Sequence, residues 1–194
     1  MHKVISEAMA AGRSLFESEA WELFSAYGIP TPRCRVAKSS DEAVAAAQEI
    51  GYPVVMKIVS RHILHKSDAG GVKVNIKDDA AARAAYQTIL ENVRAYKADA
   101  EIEGILVCEM LKPGLETIIG MTQDMSFGPT LMFGLGGIFV EVLQDVSFRV
   151  LPLDKQNALD MINEIKGAPL LHGVRGEKPK DIDAMAELLL KVAR

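Results

Sequence analysis

The feature that most constrains the fold of this chain is a helix-stop pattern that occurs twice in its first third. One helical period ends at Gly28, with Pro30 two residues later, and a second ends at Gly51, with Pro53 two residues later. A glycine can adopt the left-handed conformation that closes a helix, and a proline shortly after it prevents the helix from continuing. Each helix is therefore predicted to lead directly into a strand. The two predicted strands are residues 33–37 and 54–59.

The rest of the chain continues to alternate between helix and strand. Ser39 followed by Glu42 forms a capping box and predicts the start of the second helix. Residues 111–114, Leu-Lys-Pro-Gly, separate two strand-like runs and are typical of the turn of a strand pair. The order of elements favours an α/β or α+β fold with a largely antiparallel sheet. The other predicted elements are strands at 72–76, 105–110, 117–122, 130–133, 138–143 and 146–151, helices at 78–96, 154–165 and from about 180 to the end, and a loop at 167–176.

Composition narrows the class of protein. The 194 residues are 49% hydrophobic and 25% charged, enough to bury one sizeable core or two small lobes that share a cleft. The net charge of −4 gives no general affinity for nucleic acid or for anionic membranes, so neither partner is expected. The N-terminus lacks the apolar core of a signal peptide, which favours a cytoplasmic protein. Cys34 and Cys108 have no ligand-spaced partners and are expected to be buried thiols.

A loop between two predicted strands combines a histidine, lysines and a glycine pair. His65 lies between Lys57 and Gly70-Gly71, and Lys66 follows it directly. A glycine-rich turn lets backbone N–H groups approach an anion, lysines neutralise its charge, and an imidazole nitrogen can accept a phosphoryl group. The residues therefore predict a phosphate site that contains a nucleophile. From the residues alone, a solvent-facing Lys57 at the end of a strand and a plain loop histidine are an equally good interpretation.

Glu141 interrupts an otherwise apolar run after Gly134-Leu-Gly-Gly137. A carboxylate in a buried strand is costly unless it is paired. Glu141 is therefore expected either to line a binding cleft, the interpretation we favour, or to bond to a lysine or arginine. Arg149 is expected to pair with Glu141 or Asp145.

Four segments carry a family resemblance. They are Gly51-Tyr-Pro-Val-Val-Met-Lys57, His65-Lys-Ser-Asp-Ala-Gly-Gly-Val-Lys73, Met132-Phe-Gly-Leu-Gly-Gly-Ile-Phe-Val-Glu141 and Asp145-Val-Ser-Phe-Arg149. In this order they closely resemble the ATP-grasp β subunit of ADP-forming acyl-CoA (acetyl-CoA) synthetases, which are relatives of succinyl-CoA synthetase. The resemblance spans nearly the whole chain, and long ordered motifs are more specific than one short glycine motif.

The resemblance implies an ATP-grasp fold in which two lobes enclose a nucleotide cleft. We expect an N-terminal helical extension at 1–18, an N-terminal lobe at 19–122 and a C-terminal lobe at 123–194. In this family, acyl-CoA, ADP and phosphate give a carboxylic acid, coenzyme A and ATP. The phosphoryl group passes through a histidine of an α subunit and then a histidine of β. His65 matches the β-subunit histidine, so the implied activity is that of an ADP-forming acid–CoA ligase.

Roles for other residues follow from the same resemblance. Lys57 and Lys66 would hold phosphates, and Gly70 and Gly71 would let the backbone close over them. Phosphoryl transfer needs this kind of positioning and positive charge.

The strand that ends at Glu109 and Met110 would hydrogen-bond adenine through its main chain. Glu116 resembles the acidic residue that ATP-grasp folds place near the ribose and phosphates. For both carboxylates a solvated position is the alternative. The implied cofactors are ATP or ADP with Mg²⁺, and no residue of this sequence is predicted to be a metal ligand.

One departure from the family concerns the C-terminus. The family's β subunits continue into an Asp-x-Asn-Pro type motif and a further Asp that help to bind magnesium, and neither occurs here. We therefore expect a C-terminal lobe that is truncated at Arg194. The expected partner is an α subunit that carries the CoA-binding domain, in an α2β2 hetero-oligomer with two copies of each subunit. The acyl group is not predicted, because in this family α largely handles the acid and CoA.

Two other functions remain open. One is an ATP-grasp ligase that joins a carboxylate to an amine through an acyl phosphate, which would not need His65. The other is a truncated module that binds nucleotide without chemistry. A stable phosphohistidine would distinguish the predicted synthetase from both.

Overall fold

The computed structural model describes residues 2–137 and 144–194, and it divides the chain into two compact units, Met1–Lys112 and Pro113–Arg194. These are called unit 1 and unit 2. The elements of unit 1 are α1 (Lys3–Ala10), α2 (Glu17–Ala26), β1 (Cys34–Ala37), α3 (Ser40–Ile50), β2 (Val54–Val59), β3 (Val72–Ile76), α4 (Asp79–Tyr96) and β4 (Gly104–Glu109). Those of unit 2 are β5 (Thr117–Asp124), β6 (Gly128–Leu135), β7 (Val146–Val150), α5 (Lys155–Glu164), α6 (Ala168–His172) and α7 (Ile182–Val192).

Local signals position the helices of unit 1. The Ser39 hydroxyl accepts a hydrogen bond from the Glu42 N–H at 3.2 Å, and the Asp78 carboxylate accepts one from the Ala81 N–H at 2.8 Å. Both side chains thereby satisfy N–H groups that have no partner within the first turn of a helix. Gly51, with φ of 95°, ends α3 directly before β2. The predicted helix-to-strand transition is therefore confirmed at this position.

The sheet of unit 1 has the strand order β1-β4-β2-β3, and all its neighbouring strands are antiparallel. Lys57 of β2 lies opposite Leu106 of β4 on one side and Val72 of β3 on the other. Alternate side chains of a strand point to opposite faces. Lys57 therefore lies on the same face as Val59, and Met56 and the residues in register with it lie on the other.

The two faces of this sheet are covered differently. On one face, Met56 and Ile58 are fully buried against the alanine-rich surfaces of α3 and α4. On the other face, Val59, Leu106 and Cys108 form a smaller buried cluster, and partly buried residues that include Phe16 and Trp21 pack against it. Lys57 thus emerges on the face that the N-terminal part of the chain covers.

The two cysteines lie opposite each other on β1 and β4 and are both free thiols. The predicted burial is confirmed for Cys108, whereas Cys34 is only half-buried. Burial raises the pKa of the Cys34 thiol and raises that of Cys108 to about 12. Because the thiolate is the reactive form, both side chains serve as packing groups at neutral pH.

Among its described residues, unit 2 has a three-stranded antiparallel sheet in the order β5-β6-β7. Leu131, Phe133 and Leu135 of β6 are buried with the apolar faces of α5, α6 and α7. The predicted helix at 154–165 is confirmed, and Asp154 is its N-cap. The final predicted helix is also confirmed, as Ile182–Val192.

Two predictions about connections are wrong. Residues 111–114 do not join a strand pair, because β4 pairs with β1 and β2 whereas β5 pairs with β6. The predicted loop at 167–176 contains a short helix, α6. The Asp145 carboxylate accepts hydrogen bonds from the Lys166 and Gly167 N–H groups at 2.7 and 2.6 Å, which stabilises the start of that helix.

In the described part of the chain, no helix combines the length and the apolar character that are needed to cross a membrane.

Candidate functional site

The candidate site lies around the loop that connects β2 to β3. Ile63 and Ala69 anchor this loop, since they are only 2% and 4% exposed. Between these anchors, Leu64, His65, Ser67 and Asp68 are all exposed. Leu64, although apolar, is 81% exposed. The loop therefore presents a short accessible stretch between two buried anchors. We call residues 64–68 the histidine segment.

His65 is accessible within this segment. Its carbonyl oxygen accepts a hydrogen bond of 3.4 Å from the Ala69 N–H. Within the ranges 2–137 and 144–194, no hydrogen bond or ion pair ties down its imidazole ring. An exposed imidazole without such a bond is free to act as a nucleophile when it is neutral.

The neighbouring His62 has a different role. Its Nδ1 accepts a hydrogen bond of 3.0 Å from the Glu101 N–H, so the neutral ring carries its proton on Nε2. The backbone N–H of His62 donates a hydrogen bond of 3.2 Å to the Ser60 hydroxyl. No three His, Cys, Asp or Glu side chains converge as a metal site among the residues that the structure describes. The hydrogen bonds of His62 therefore make it part of the loop's anchoring.

The glycine pair fixes the end of the loop against the sheet. The Gly71 N–H donates to the Lys66 carbonyl, and the Gly71 carbonyl accepts from the Ile58 N–H, both at 2.8 Å. A Cβ on Gly71 would lie 2.6 Å from Cγ2 of Ile58. Gly70 has φ of 62°, and its carbonyl accepts from the Asn92 amide at 3.1 Å. Close packing within the protein thus already explains a glycine at both positions. Their proposed role in phosphate binding stays a prediction.

The structure brings Lys57 and Lys66 together through a third residue, Glu17. Lys57 Nζ lies 2.6 Å from Glu17 Oε1, and Lys66 Nζ lies 3.5 Å from Glu17 Oε2. Lys57 Nζ also lies 5.4 Å from the centre of the Trp21 ring, within range of a cation–π interaction. Two lysines that are separated in the sequence therefore converge next to the histidine segment.

Sequence reasoning missed Glu17. It is the first residue of α2, where a carboxylate interacts favourably with the helix N-terminus. The start of this helix is held by Arg13, which donates two hydrogen bonds of 2.7 Å to Glu19, and Glu19 in turn accepts from the Phe16 N–H at 2.8 Å. The acidic first turn was visible in the sequence, but its contact with Lys57 spans 40 residues and needs the fold.

A cavity of about 300 Å³ lies beside this cluster within unit 1. The segment before α2, the end of β2 and the loop after it line this cavity, and Glu17, Lys66 and Ser60 contribute polar groups. Its size lies at the lower end of the range for small-molecule sites, and its lining mixes apolar side chains with charged ones that include Arg13, Arg61 and Lys66.

The strand that is predicted to bind adenine, at 105–110, is Gly104–Glu109 in the structure and ends one residue earlier than predicted. The Glu109 carboxylate forms an exposed ion pair of 3.2 Å with Arg33, and its N–H donates to the Arg33 carbonyl at 2.8 Å. The hydrogen bonds from Arg33 hold the pKa of the Glu109 carboxyl below its usual value. The backbone N–H of Glu109 is thus already hydrogen-bonded to Arg33. Met110 follows the strand and is half-buried.

Glu116 lies in unit 2, beside the glycine turn that follows β6. Its carbonyl accepts from the Gly136 N–H at 2.7 Å, and a Cβ on Gly137 would lie 2.8 Å from its Oε2. Its side chain is exposed, so the carboxylate is available to a ligand. Glu141 lies outside the described residues.

The predicted pairing of Arg149 with Asp145 is wrong, and the alternative partner, Glu141, lies outside the described residues. Arg149 forms an ion pair of 2.7 Å with Glu164 of α5. Asp145 is buried, and its two carboxylate oxygens accept hydrogen bonds from the Lys166 and Gly167 N–H groups just before α6. The Asp145-Val-Ser-Phe-Arg149 motif therefore joins β7 to the helices of unit 2.

Comparison with known proteins gives a consistent family. A family model described as an ATP-grasp domain matches residues 7–194. The β subunit of ADP-forming acetate–CoA ligase I from Pyrococcus furiosus is 56% identical over 190 residues, which are 98% of this chain and 82% of that protein.

Solved structures give the same likeness. Acetyl-coenzyme A synthetase 1 of Ca. Korarchaeum cryptofilum, in complex with coenzyme A, Ca-AMPCP and HgCl⁺, matches with a TM-score of 0.94 at 52% identity, over 97% of this chain and 83% of that chain. Another structure of that enzyme contains coenzyme A and Mg-AMPPCP, and its phosphohistidine segment points towards the nucleotide-binding site. It matches with a TM-score of 0.86 at 46% identity, over 98% of this chain and 82% of that chain.

Proposed function

This chain belongs to the family of ATP-grasp β subunits of ADP-forming acetate–CoA ligases, and on that premise we propose that His65 carries the phosphoryl group between the nucleotide and a partner subunit. The observation that carries the proposal is the convergence of Lys57 and Lys66 on one carboxylate beside an exposed histidine segment. Positive charge next to an accessible nucleophile is what phosphoryl transfer requires of a protein.

In the proposed step, a ring nitrogen of neutral His65 attacks the γ-phosphorus of ATP. A nitrogen–phosphorus bond forms, the bond from phosphorus to the bridging oxygen breaks, and ADP leaves with the electron pair. Lys57 and Lys66 reduce the repulsion between the phosphate oxygens and stabilise the charge that develops on them. The reverse step makes ATP, and the exposure of His65 supports access to more than one site.

The remaining binding roles are proposals of the same kind. Because the Glu109 N–H already donates to Arg33, we propose that adenine is recognised through the main chain from Met110 onward. Glu116, and Glu141 in the part that is not described, would lie near the ribose and phosphates, and Gly70 and Gly71 near the phosphates. Mg²⁺ accompanies the nucleotide, where phosphates and one or two carboxylates usually hold it.

We also propose the assembly. Unit 1 and unit 2 would be the two ATP-grasp lobes, and the partner would be an α subunit with the CoA-binding domain in an α2β2 hetero-oligomer. The relatives' designation as subunit β supports a partner subunit. ADP and coenzyme A are the substrates of this chemistry, and we propose that the protein meets them in the cytoplasm.

Phosphate labelling tests the proposed function. The chain, together with its α subunit, is incubated with Mg²⁺ and γ-labelled ATP, and the acid-labile, base-stable label is mapped. We expect label on His65 and none in His65→Asn. His62→Asn is the control, because the asparagine oxygen can accept the Glu101 N–H in place of Nδ1. Label in both variants, or none in the wild type, would overturn the assignment.

A further inference from the structure

One carboxylate neutralises both lysines that are proposed to bind phosphate. The side chains of Glu17, Lys57 and Lys66 are 24%, 26% and 30% exposed, so the cluster is neither fully buried nor freely solvated. The two Glu17 oxygens contact different lysines, one at 2.6 Å and the other at 3.5 Å. Glu17 therefore occupies the space between two ammonium groups, where a phosphate would also be most favourable.

The cations around the neighbouring cavity show the same pattern. Arg13 pairs with Glu19 through two hydrogen bonds of 2.7 Å, and Arg61 pairs with Glu101. Lys66, the other lysine or arginine in the cavity lining, pairs with Glu17. Each lysine or arginine that lines this cavity thus already has a carboxylate partner, and a phosphate that enters must compete with one of them.

Geometry identifies the contact that is easiest to exchange. The Arg13–Glu19 pair is bidentate, the arrangement in which charge-assisted hydrogen bonds are strongest. The Lys66–Glu17 contact of 3.5 Å is beyond ordinary hydrogen-bond length, and a lysine ammonium is a point charge that many acceptor positions satisfy. Lys66 also belongs to the histidine segment, so its exchange is coupled to the position of that segment.

We infer that Glu17 is a positioning residue. It holds Lys57 and Lys66 between phosphoryl transfers, and an incoming phosphate group displaces it. This inference rests on the proposed phosphate-binding role of the two lysines. The exchange needs no chemical step, because the carboxylate leaves the ammonium groups and the phosphate oxygens replace it.

The charges favour exchange over simultaneous binding. A phosphoryl group carries about two negative charges near neutral pH, which matches the two lysines. If Glu17 stayed between them, three negative charges would face two positive ones in a partly desolvated site, where like charges repel strongly. Glu17 can instead move towards water, because its side chain is already partly exposed.

A purely supporting role for Glu17 predicts the opposite result. If the carboxylate only oriented the lysines towards phosphate, its removal would weaken phosphate binding. If phosphate displaces it, its removal would strengthen binding. The sign of the change therefore separates the two roles.

Titration calorimetry of the full chain with inorganic phosphate and with ADP tests the inference. For Glu17→Gln we expect binding that is about three- to fivefold tighter than in the wild type, the size of one partly exposed ion pair. Glu22→Gln is the matched control, because it removes the same charge from an exposed position of the same helix. We expect its affinity to equal that of the wild type. Glu17→Asp keeps the charge on a shorter side chain and should bind less than threefold tighter.

The outcomes separate this inference from the proposed function. If the wild type binds neither probe and is not phosphorylated, the proposed function fails. If the wild type binds but Glu17→Gln binds equally or more weakly, the inference is overturned while the function stands. Circular dichroism and Trp21 fluorescence show whether the variant is folded. If Glu17→Gln does not fold, the comparison rests on Glu17→Asp, for which weaker binding than in the wild type overturns the inference.

Discussion

Replacement of Gly71 by alanine should destabilise unit 1, because this glycine lies directly against the sheet. The added Cβ would lie 2.6 Å from Ile58 Cγ2 and 3.0 Å from the Lys66 carbonyl oxygen. Carbon atoms pack favourably at about 3.5–4.0 Å, so the overlap with Ile58 is about 1 Å. Ile58 is fully buried in the core of unit 1, so its neighbours must shift as well if it moves.

Two ways of relieving this overlap have similar costs. Overpacking of a rigid core typically costs about 1–3 kcal/mol. If the loop moves away instead, it stretches the two backbone hydrogen bonds of Gly71, each of which contributes about 0.5–1.5 kcal/mol. Alanine restricts the unfolded chain and offsets roughly 0.4–1 kcal/mol of this cost. The expected net loss in the free energy of unfolding is therefore about 1–2 kcal/mol.

The assay uses the chain's single tryptophan. Trp21 packs on the buried cluster of unit 1, so its fluorescence during urea denaturation reports the unfolding of this unit. Gly114→Ala is the control, because its methyl group would enter open space at an unstrained backbone position, and it should leave stability unchanged or slightly higher. Amide exchange at Ile58, whose N–H donates to Gly71, should accelerate in Gly71→Ala only. A Gly71→Ala midpoint at or above that of the wild type would refute the reasoning.

Two further predictions concern carboxylates outside the candidate site. Asp145→Asn should lower the free energy of unfolding of unit 2 by about 2–3 kcal/mol, because an amide cannot replace both charged oxygens that accept from the Lys166 and Gly167 N–H groups. Urea denaturation followed by circular dichroism measures this, and wild-type stability would contradict it. The Arg13 hydrogen bonds hold the pKa of the Glu19 carboxyl below its usual 4.5. The ion pair therefore contributes its full stabilisation to the folded state above pH 4.5 and loses it as the pH falls through the lowered pKa. Glu19→Gln should therefore show a weaker dependence of melting temperature on pH between about pH 5 and 2, and parallel profiles would argue against the pair.

The local elements of this fold were predictable because their signals are short-range. The strands Val54–Val59 and Val72–Ile76 have the predicted bounds, and α3 begins after Ser39 and ends at Gly51. Capping, left-handed glycines and alternating apolar residues act within a few residues of the chain. The sequence therefore contains what is needed to place these elements.

Strand partners and most of the site's contacts were not predictable in the same way. A strand pattern gives alternation but not the identity of its neighbour, so the interpretation of residues 111–114 as a hairpin turn was wrong. The sequence pattern made His65, Lys57 and Lys66 candidates, but it could not show that Glu17 joins the two lysines. That contact depends on α2 covering one particular face of the sheet, which only the three-dimensional arrangement determines.

The cluster of Glu17, Lys57 and Lys66 also bears on why a phosphohistidine relay would keep a competing carboxylate. A relay must receive a phosphoryl group and then release it, so tight binding of the phosphorylated state would slow the second step. Interactions that stabilise the bound group as much as the transition state do not accelerate its transfer. Two unpaired lysines would hold phosphate tightly, whereas two lysines that regain a carboxylate when the phosphate leaves hold it less tightly. A competing Glu17 would therefore favour reversible transfer, and tighter phosphate binding by Glu17→Gln should be accompanied by slower release of the phosphoryl group to ADP.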